Sequence, residues 1–179
     1  VGTGLNAAPD FGARVAQKLA AFTGIPVREA ANHFEAQGAR DDLVLVSGAL
    51  KRTACALAKI ADDTRRLGAL GEIRIPELQP GSSIMPGKVN PVMSEVVVQV
   101  AAHVIGNDVA VSIGGQTGSF ELNTMIPVMA HHVLQSAEIL ANAARLFAER
   151  CVDGIEANAE RCRELAGRDP IRELLAQPG

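Results

Sequence analysis

The sequence predicts an all-α protein organised as a bundle of long helices, and three stretches carry that expectation. From Asp41 to Leu67 the apolar positions Leu43, Val44, Val46, Leu50, Leu57, Ile60 and Leu67 recur with helical period, uninterrupted by proline. The stretch Glu95 to Ile113 is rich in valine, which by itself argues for strand. It is too long for a typical strand, and Glu95, Gln99, His103 and Asn107 stand four apart as one polar stripe on an otherwise apolar cylinder. From Thr124 to Arg150 the residues Met125, Val128, Met129, Val133, Leu134, Ile139, Leu140, Leu146 and Phe147 continue the pattern beyond the usual length of a globular helix. With 179 residues, 47% of them hydrophobic, the chain can bury a core and make one or two domains.

Taken in order, Asp10 is placed to cap a first helix through Phe11, Val15, Leu19 and Phe22, which Gly24 and Pro26 end. A second helix is expected from Val27 to Gln37, before the long helix that opens at Asp41. Glu72 to Leu78 reads EIRIPEL, an alternation that suits a short strand, and leads into a loop rich in glycine, serine and proline from Gln79 to Pro91. Helix resumes after Pro91, breaks at the glycine-rich stretch Gly114 to Gly118, and resumes again near Thr124. Apolar faces this extended predict packing against partner subunits. No internal repeat or low-complexity tract is visible.

The net charge is -3, from 17 basic and 20 acidic residues spread along the chain, so no cationic face for nucleic acid or anionic lipid is expected. No run of consecutive apolar residues approaches the roughly 20 needed to cross a bilayer, and no apolar signal core stands near Val1. A cytoplasmic protein without a membrane partner is the expectation. Cys55, Cys151 and Cys162 are odd in number and widely spaced, which predicts buried thiols rather than a metal site or a disulfide framework. The chain starts at Val1 without an initiator methionine and has no Tyr or Trp, so it reads as part of a longer polypeptide.

The most informative segment is Gly81-Ser82-Ser83-Ile84-Met85-Pro86-Gly87-Lys88-Val89-Asn90-Pro91, with Glu95 one turn into the next helix. Hydroxyls, an ammonium and an amide in so short a span suit a small dicarboxylate: a cation for one carboxylate, an amide for orientation, a hydroxyl near a reacting C–H. A polar surface loop with a solvated lysine is the bland alternative. A phosphate-binding loop fails on spacing, because that motif puts four residues between its glycines and a hydroxyl after the lysine, whereas Val89 follows Lys88. Thr3 and Asn6 are expected to shape a turn, His131 and His132 to pack or face solvent, and Glu121 and Asn123 to satisfy backbone groups at a helix start.

The segment GSSIMPGKVNP closely resembles the signature GSSxMPxKxNP of the fumarase, aspartase and argininosuccinate lyase superfamily. The resemblance extends to VGTGLN at Val1 to Asn6, FEAQ at Phe34 to Gln37, SGAL at Ser47 to Leu50, LAKIADD at Leu57 to Asp63, VIGND at Val104 to Asp108 and GSFELN at Gly118 to Asn123, all similar to class II fumarase. The Phe of GSFELN and the LQS of Leu134 to Ser136 favour class II fumarase over aspartase. An aspartate ammonia-lyase using the same loop, or a non-catalytic oligomer on the same scaffold, remain the alternatives.

The resemblance implies a long-helix bundle domain over residues 1–150 and a remnant of a small C-terminal helical domain over 151–179. It implies a homotetramer with shared active sites, and reversible hydration of fumarate to (S)-malate, a tricarboxylic acid cycle step, without metal or organic cofactor. Ser82 would be the general base that removes the C3 proton of malate, activated as an alkoxide by surrounding donors. Lys88 and Asn90 would hold the substrate carboxylate and stabilise the aci-carboxylate dianion, with Ser83 beside them in substrate binding. Glu95 would hydrogen-bond a catalytic histidine supplied by another part of the enzyme.

The sequence also departs from the family. The THxQ and SSN segments that complete the family's site are not among its residues. A turn containing Ser-Gly-Pro is replaced by Leu67-Gly68-Ala69-Leu70 running directly into Gly71-Glu72-Ile73, and Asp169-Pro170 joins Ile171 where a longer stretch is expected. These joins suggest pieces of a longer protein brought together.

Overall fold

The computed structural model describes residues 2–167, so the expected join at Asp169-Pro170 lies outside the described residues. Six α-helices are found among them: α1 Phe11–Thr23, α2 His33–Gly38, α3 Asp41–Leu70, α4 Val92–Gln116, α5 Ile126–Arg150 and α6 Ala159–Gly167. Two short strands, β1 Ile73–Arg74 and β2 Glu156–Ala157, pair antiparallel with Ile73 opposite Ala157 and Arg74 opposite Glu156. The all-α expectation holds, and the three long helices lie where the sequence puts them.

The helices pair through seams of heptad spacing, the pattern of antiparallel bundles. On α3 the buried residues are Ser47, Ala54, Ala61 and Thr64; on α4, Ser94, Val97, Ala101, Val104, Asn107, Asp108, Val111 and Gly114; on α5, Met129, Val133, Ser136, Leu140, Ala143 and Phe147. Two compact units result. One holds residues 2–49 with Asn107–Gln135, the other Leu50–Gly106 with 136–167.

In the second unit apolar clusters fill the interior, with Thr64, Ser94 and Ser136 buried beside them. Ala61, Val97, Ala143, Phe147 and Cys151 form one cluster, and Ala54, Ala101, Val104 and Leu140 another. In the first unit polar side chains tie the helices: Ser47 Oγ donates to Asp108 Oδ1 at 2.8 Å, and Asn107 Nδ2 donates to Gln135 Oε1 at 3.1 Å. His132 Nδ1 meets Asn107 Oδ1 at 2.8 Å, so the ring nitrogen donates to the amide oxygen.

Several local expectations are corrected. Asp10 stands before α1 but makes no capping hydrogen bond, its carboxylate lying instead 3.6 Å from Arg14. The helix expected over Val27 to Gln37 begins only at His33, because Asn32 is extended and its side chain accepts from Phe34 N and Glu35 N, fixing the start there. Strand is confined to two residues of the expected seven, since Pro76 has no N–H to continue a ladder. Gly114 and Gly115 belong to α4, where tight neighbours explain them: a Cβ on Gly114 would lie 2.5 Å from Met129 Cγ. Cys55 is exposed rather than buried, and only Cys151 is fully enclosed. Burial pushes the Cys151 thiol up, partly offset by the Ser94 hydroxyl beside it.

The polar stripe on α4 divides: Glu95, Gln99 and His103 are exposed and Asn107 is buried. Val98, Ile105, Val109 and Ile113 are exposed on the same helix. By length and composition alone α4 is apolar enough to cross a bilayer, which corrects the expectation that no such segment exists. Scattered polar residues break the apolar run that a count of consecutive residues looks for. A core helix of a bundle passes the same test, and here α4 supplies seam residues to both interiors.

Candidate active site

The turn that launches the site is set by the end of α3. Glu72 N–H bonds back to Leu67 O and Gly71 N–H to Gly68 O, both at 3.1 Å, the paired closure that needs a left-handed residue at Gly71, whose φ is 76°. Thus the short join at Leu67 to Gly71 is one extra helical turn and a tight reversal, which delivers the chain directly into β1.

Beyond Pro76 the chain forms the loop 79–91. Pro80 and Val89 bridge its neck, where Gly81 N–H donates to Lys88 O at 2.7 Å and Asn90 Nδ2 donates to Gly81 O at 3.3 Å. A Cβ on Gly81 would lie 2.6 Å from Lys88 O, so the neck closes only around glycine. At the tip, Ser82 Oγ accepts from Ile84 N–H and Met85 N–H, both at 3.2 Å, and Lys88 N–H returns to Met85 O. Helix α4 begins after Pro91, its first turn closed by Glu95 N–H to Pro91 O at 3.1 Å.

Ser82 and Lys88 line one cleft of about 420 Å³ together with Glu77, Leu78, Gln79, Pro80, Met85, Gly87 and Val89. Ser82 and Asn90 are half-buried, whereas Ser83 and Lys88 are exposed. Neither Ser83 nor Asn90 lines this cleft; the Asn90 side chain holds the neck. Glu95 is exposed and borders a different cleft, of about 550 Å³, with Arg65, Arg74 and Glu77. In that cleft Arg65 is already committed: its hydrogen bond to Asp62, helped by Arg66, holds the Asp62 carboxyl below the usual range. Glu77 and Gln79, which reasoning from the motif passed over, stand just upstream of Gly81, where no spacing marks them. Among the described residues no group of three or more His, Cys, Asp or Glu could hold a metal ion.

Chemically, two backbone N–H groups converging on one hydroxyl oxygen favour its deprotonated form, since the same donors stabilise an alkoxide more than an alcohol. An exposed ammonium in the same cleft gives a charge for a carboxylate. Residues 1–106 match the family model described as Lyase.

The chain belongs to this lyase family. Over 176 residues it is 57% identical to the class II fumarate hydratase of Mycobacterium tuberculosis, an alignment covering 95% of the chain and 37% of that relative. Among solved structures it is similar to a fumarate lyase:delta crystallin from Brucella melitensis bound to cobalt, with a TM-score of 0.86, 45% identity and coverage of 92% of this chain and 37% of that one. A recombinant class II fumarase from Schistosoma mansoni matches with the same TM-score of 0.86, 33% identity and coverage of 92% and 38%. This lyase chain therefore spans little more than a third of the length of these relatives. The class II fumarase resemblance read from the loop extends across nearly all of it.

Proposed function

We propose that the protein carrying this chain hydrates fumarate reversibly to (S)-malate by anti addition of water, with Ser82 as the base that takes the C3 proton in the reverse direction. The observation that carries this reading is the convergence of Ile84 N–H and Met85 N–H on Ser82 Oγ in a cleft shared with Lys88. A free serine hydroxyl is far too weak a base, and donors fixed before substrate arrives favour its alkoxide without reorganisation at the moment of reaction. Lys88 would hold a carboxylate and stabilise the dianion formed as the proton leaves, with Ser83 as a further binding residue. Asn90 would act by holding the loop neck as much as by touching substrate. Glu95, bordering the neighbouring cleft, would orient a histidine from elsewhere in the protein. The Mycobacterium tuberculosis relative named a class II fumarate hydratase and the Schistosoma mansoni structure named a class II fumarase support this substrate. The exposed apolar stripe of α4 supports a homotetramer whose active sites are shared, and a cytoplasmic location is proposed with it.

The test is Ser82→Ala in the protein that carries all parts of the site. Its kcat for fumarate hydration, followed by the ultraviolet absorbance of fumarate, should fall by about three orders of magnitude, roughly 4 kcal/mol, with little change in KM. Ser83→Ala should cost much less, and Lys88→Ala should also raise KM because the ammonium binds ground state and transition state alike. Near-normal hydration by Ser82→Ala would remove Ser82 from the mechanism.

A further inference from the structure

The arm that leads into the Ser82 loop is fastened at several points to the segment after α5. Asn158 N–H donates to Glu72 O at 2.8 Å, directly beside the pairing of Ile73 with Ala157 and Arg74 with Glu156. Arg161 Nε donates to Leu70 O at 3.1 Å, a terminal carbonyl of α3 that lacks a helical partner. The same guanidinium pairs with Glu164 at 2.8 Å, so it is held from both sides. Cys162 Sγ lies 3.6 Å from Glu72 O as a weaker third tie. On the other side of β1, Gly154 lies against Pro76: a Cβ there would be 2.5 Å from Pro76 Cγ, a rigid ring that cannot swing away.

Only residues 77–79 separate Pro76 from the Pro80–Val89 bridge that closes the loop neck. Three exposed residues are a short lever, so a displacement of Pro76 is passed to the neck with little room to be absorbed. Two-residue strands are too short to hold this geometry by themselves. The contacts from Asn158, Arg161, Cys162 and Gly154 add ties beyond that ladder.

We propose that the segment 152–162 is a brace for the Ser82 loop, in which Arg161 and Gly154 are positioning residues acting through the 70–76 arm rather than touching substrate. That role is independent of which four-carbon acid the loop binds. Its bearing on affinity rests on the reading of the loop as a dicarboxylate site.

The experiment uses the protein that carries all parts of the site and follows amide hydrogen exchange site by site by NMR. In Arg161→Ala the Gly81 and Lys88 amides should exchange roughly fivefold faster or more, the factor expected from one lost hydrogen bond, while the amides of Val111 and Met129 keep their rates. Arg161→Lys, which can still reach Leu70 O, should recover part of the protection. Gly154→Ala should disturb the same loop amides although it removes no hydrogen bond. Unchanged Gly81 and Lys88 exchange in both Arg161→Ala and Gly154→Ala, with β1 amides accelerated, would overturn the brace. Equal acceleration throughout the chain would also overturn it, since that reports general destabilisation. A parallel titration with fumarate separates the two ideas. If the wild-type Lys88 and Ser82 resonances do not move, the dicarboxylate reading fails while the exchange result still decides the brace. If they move, Arg161→Ala should weaken binding several-fold and Arg161→Lys should restore part of it.

Discussion

The same three helices enclose two different interiors. Where α3, α4 and α5 meet in the unit of Leu50–Gly106 and 136–167, the packed clusters are alanine, valine, leucine, phenylalanine and cysteine, with the buried hydroxyls of Thr64, Ser94 and Ser136 beside them. In the unit of 2–49 with Asn107–Gln135, Val111, Met129 and Val133 share the seam with Ser47, Asn107 and Asp108, whose side chains hydrogen-bond across it and are reached by His132 and Gln135. An apolar seam gains from area removed from water and tolerates sliding by a heptad, whereas a hydrogen-bonded seam contributes little net energy but fits only one register. The comparison suggests that one interior supplies most of the stability and the other most of the alignment.

Phe147→Ala gives the largest test of that division. It removes the largest ring of the apolar interior and should cost about 3–5 kcal/mol, read from urea denaturation followed by circular dichroism. A loss below about 1 kcal/mol would mean that this interior is not where stability resides. Asn107→Ala should cost less, about 1–3 kcal/mol, because it removes the partner of both His132 and Gln135. A cost larger than that of Phe147→Ala would invert the comparison.

A pH series sharpens the apolar side. Burial raises the Cys151 thiol above its ordinary value of 9.0, so the unfolded chain releases this proton first as pH rises. Stability from this group is therefore fully present below the unfolded value and declines as pH climbs above it toward the folded one. Cys151→Ala should flatten the alkaline slope of stability against pH, whatever it does to the plateau. An unchanged slope would sink the assignment. Smallest of all is Ser94→Ala. Among the described residues the buried Ser94 hydroxyl finds no hydrogen-bond partner of ordinary geometry, so its removal should change stability by no more than about 0.5 kcal/mol or raise it slightly. A clear loss would show that its contact with Cys151 contributes more than geometry suggests.

Most of the architecture was legible because periodicity survives in helices this long. Asp41 to Leu67 grew only to Leu70, and Thr124 to Arg150 lost only two residues at its start. What misled was size. Val46, Ile60 and Leu67 mark the period of α3, yet they are exposed, and Ala54 and Ala61 fill the seam, because helices approaching closely have room only for small side chains. The short elements were poorly legible for a related reason. The start of α2 depends on one Asn32 side chain, and β1 exists only because residues 156–157, far along the chain, lie beside it.

At the site, the motif named Ser82 and Lys88, and folding brings them into one cleft. It gave no sign that Glu95 would border a different one, or that Glu77 and Gln79 would line the first. The sequence by itself determined the family, the helices and the chemistry available in the loop, because these are local properties of residue type and spacing. Tertiary structure alone decided which of those groups share a cleft, which amides point at Ser82 Oγ and what braces the arm beneath it. Those depend on the direction of side chains and backbone N–H groups across contacts distant in the chain, such as Arg161 to Leu70, and no local pattern carries that direction.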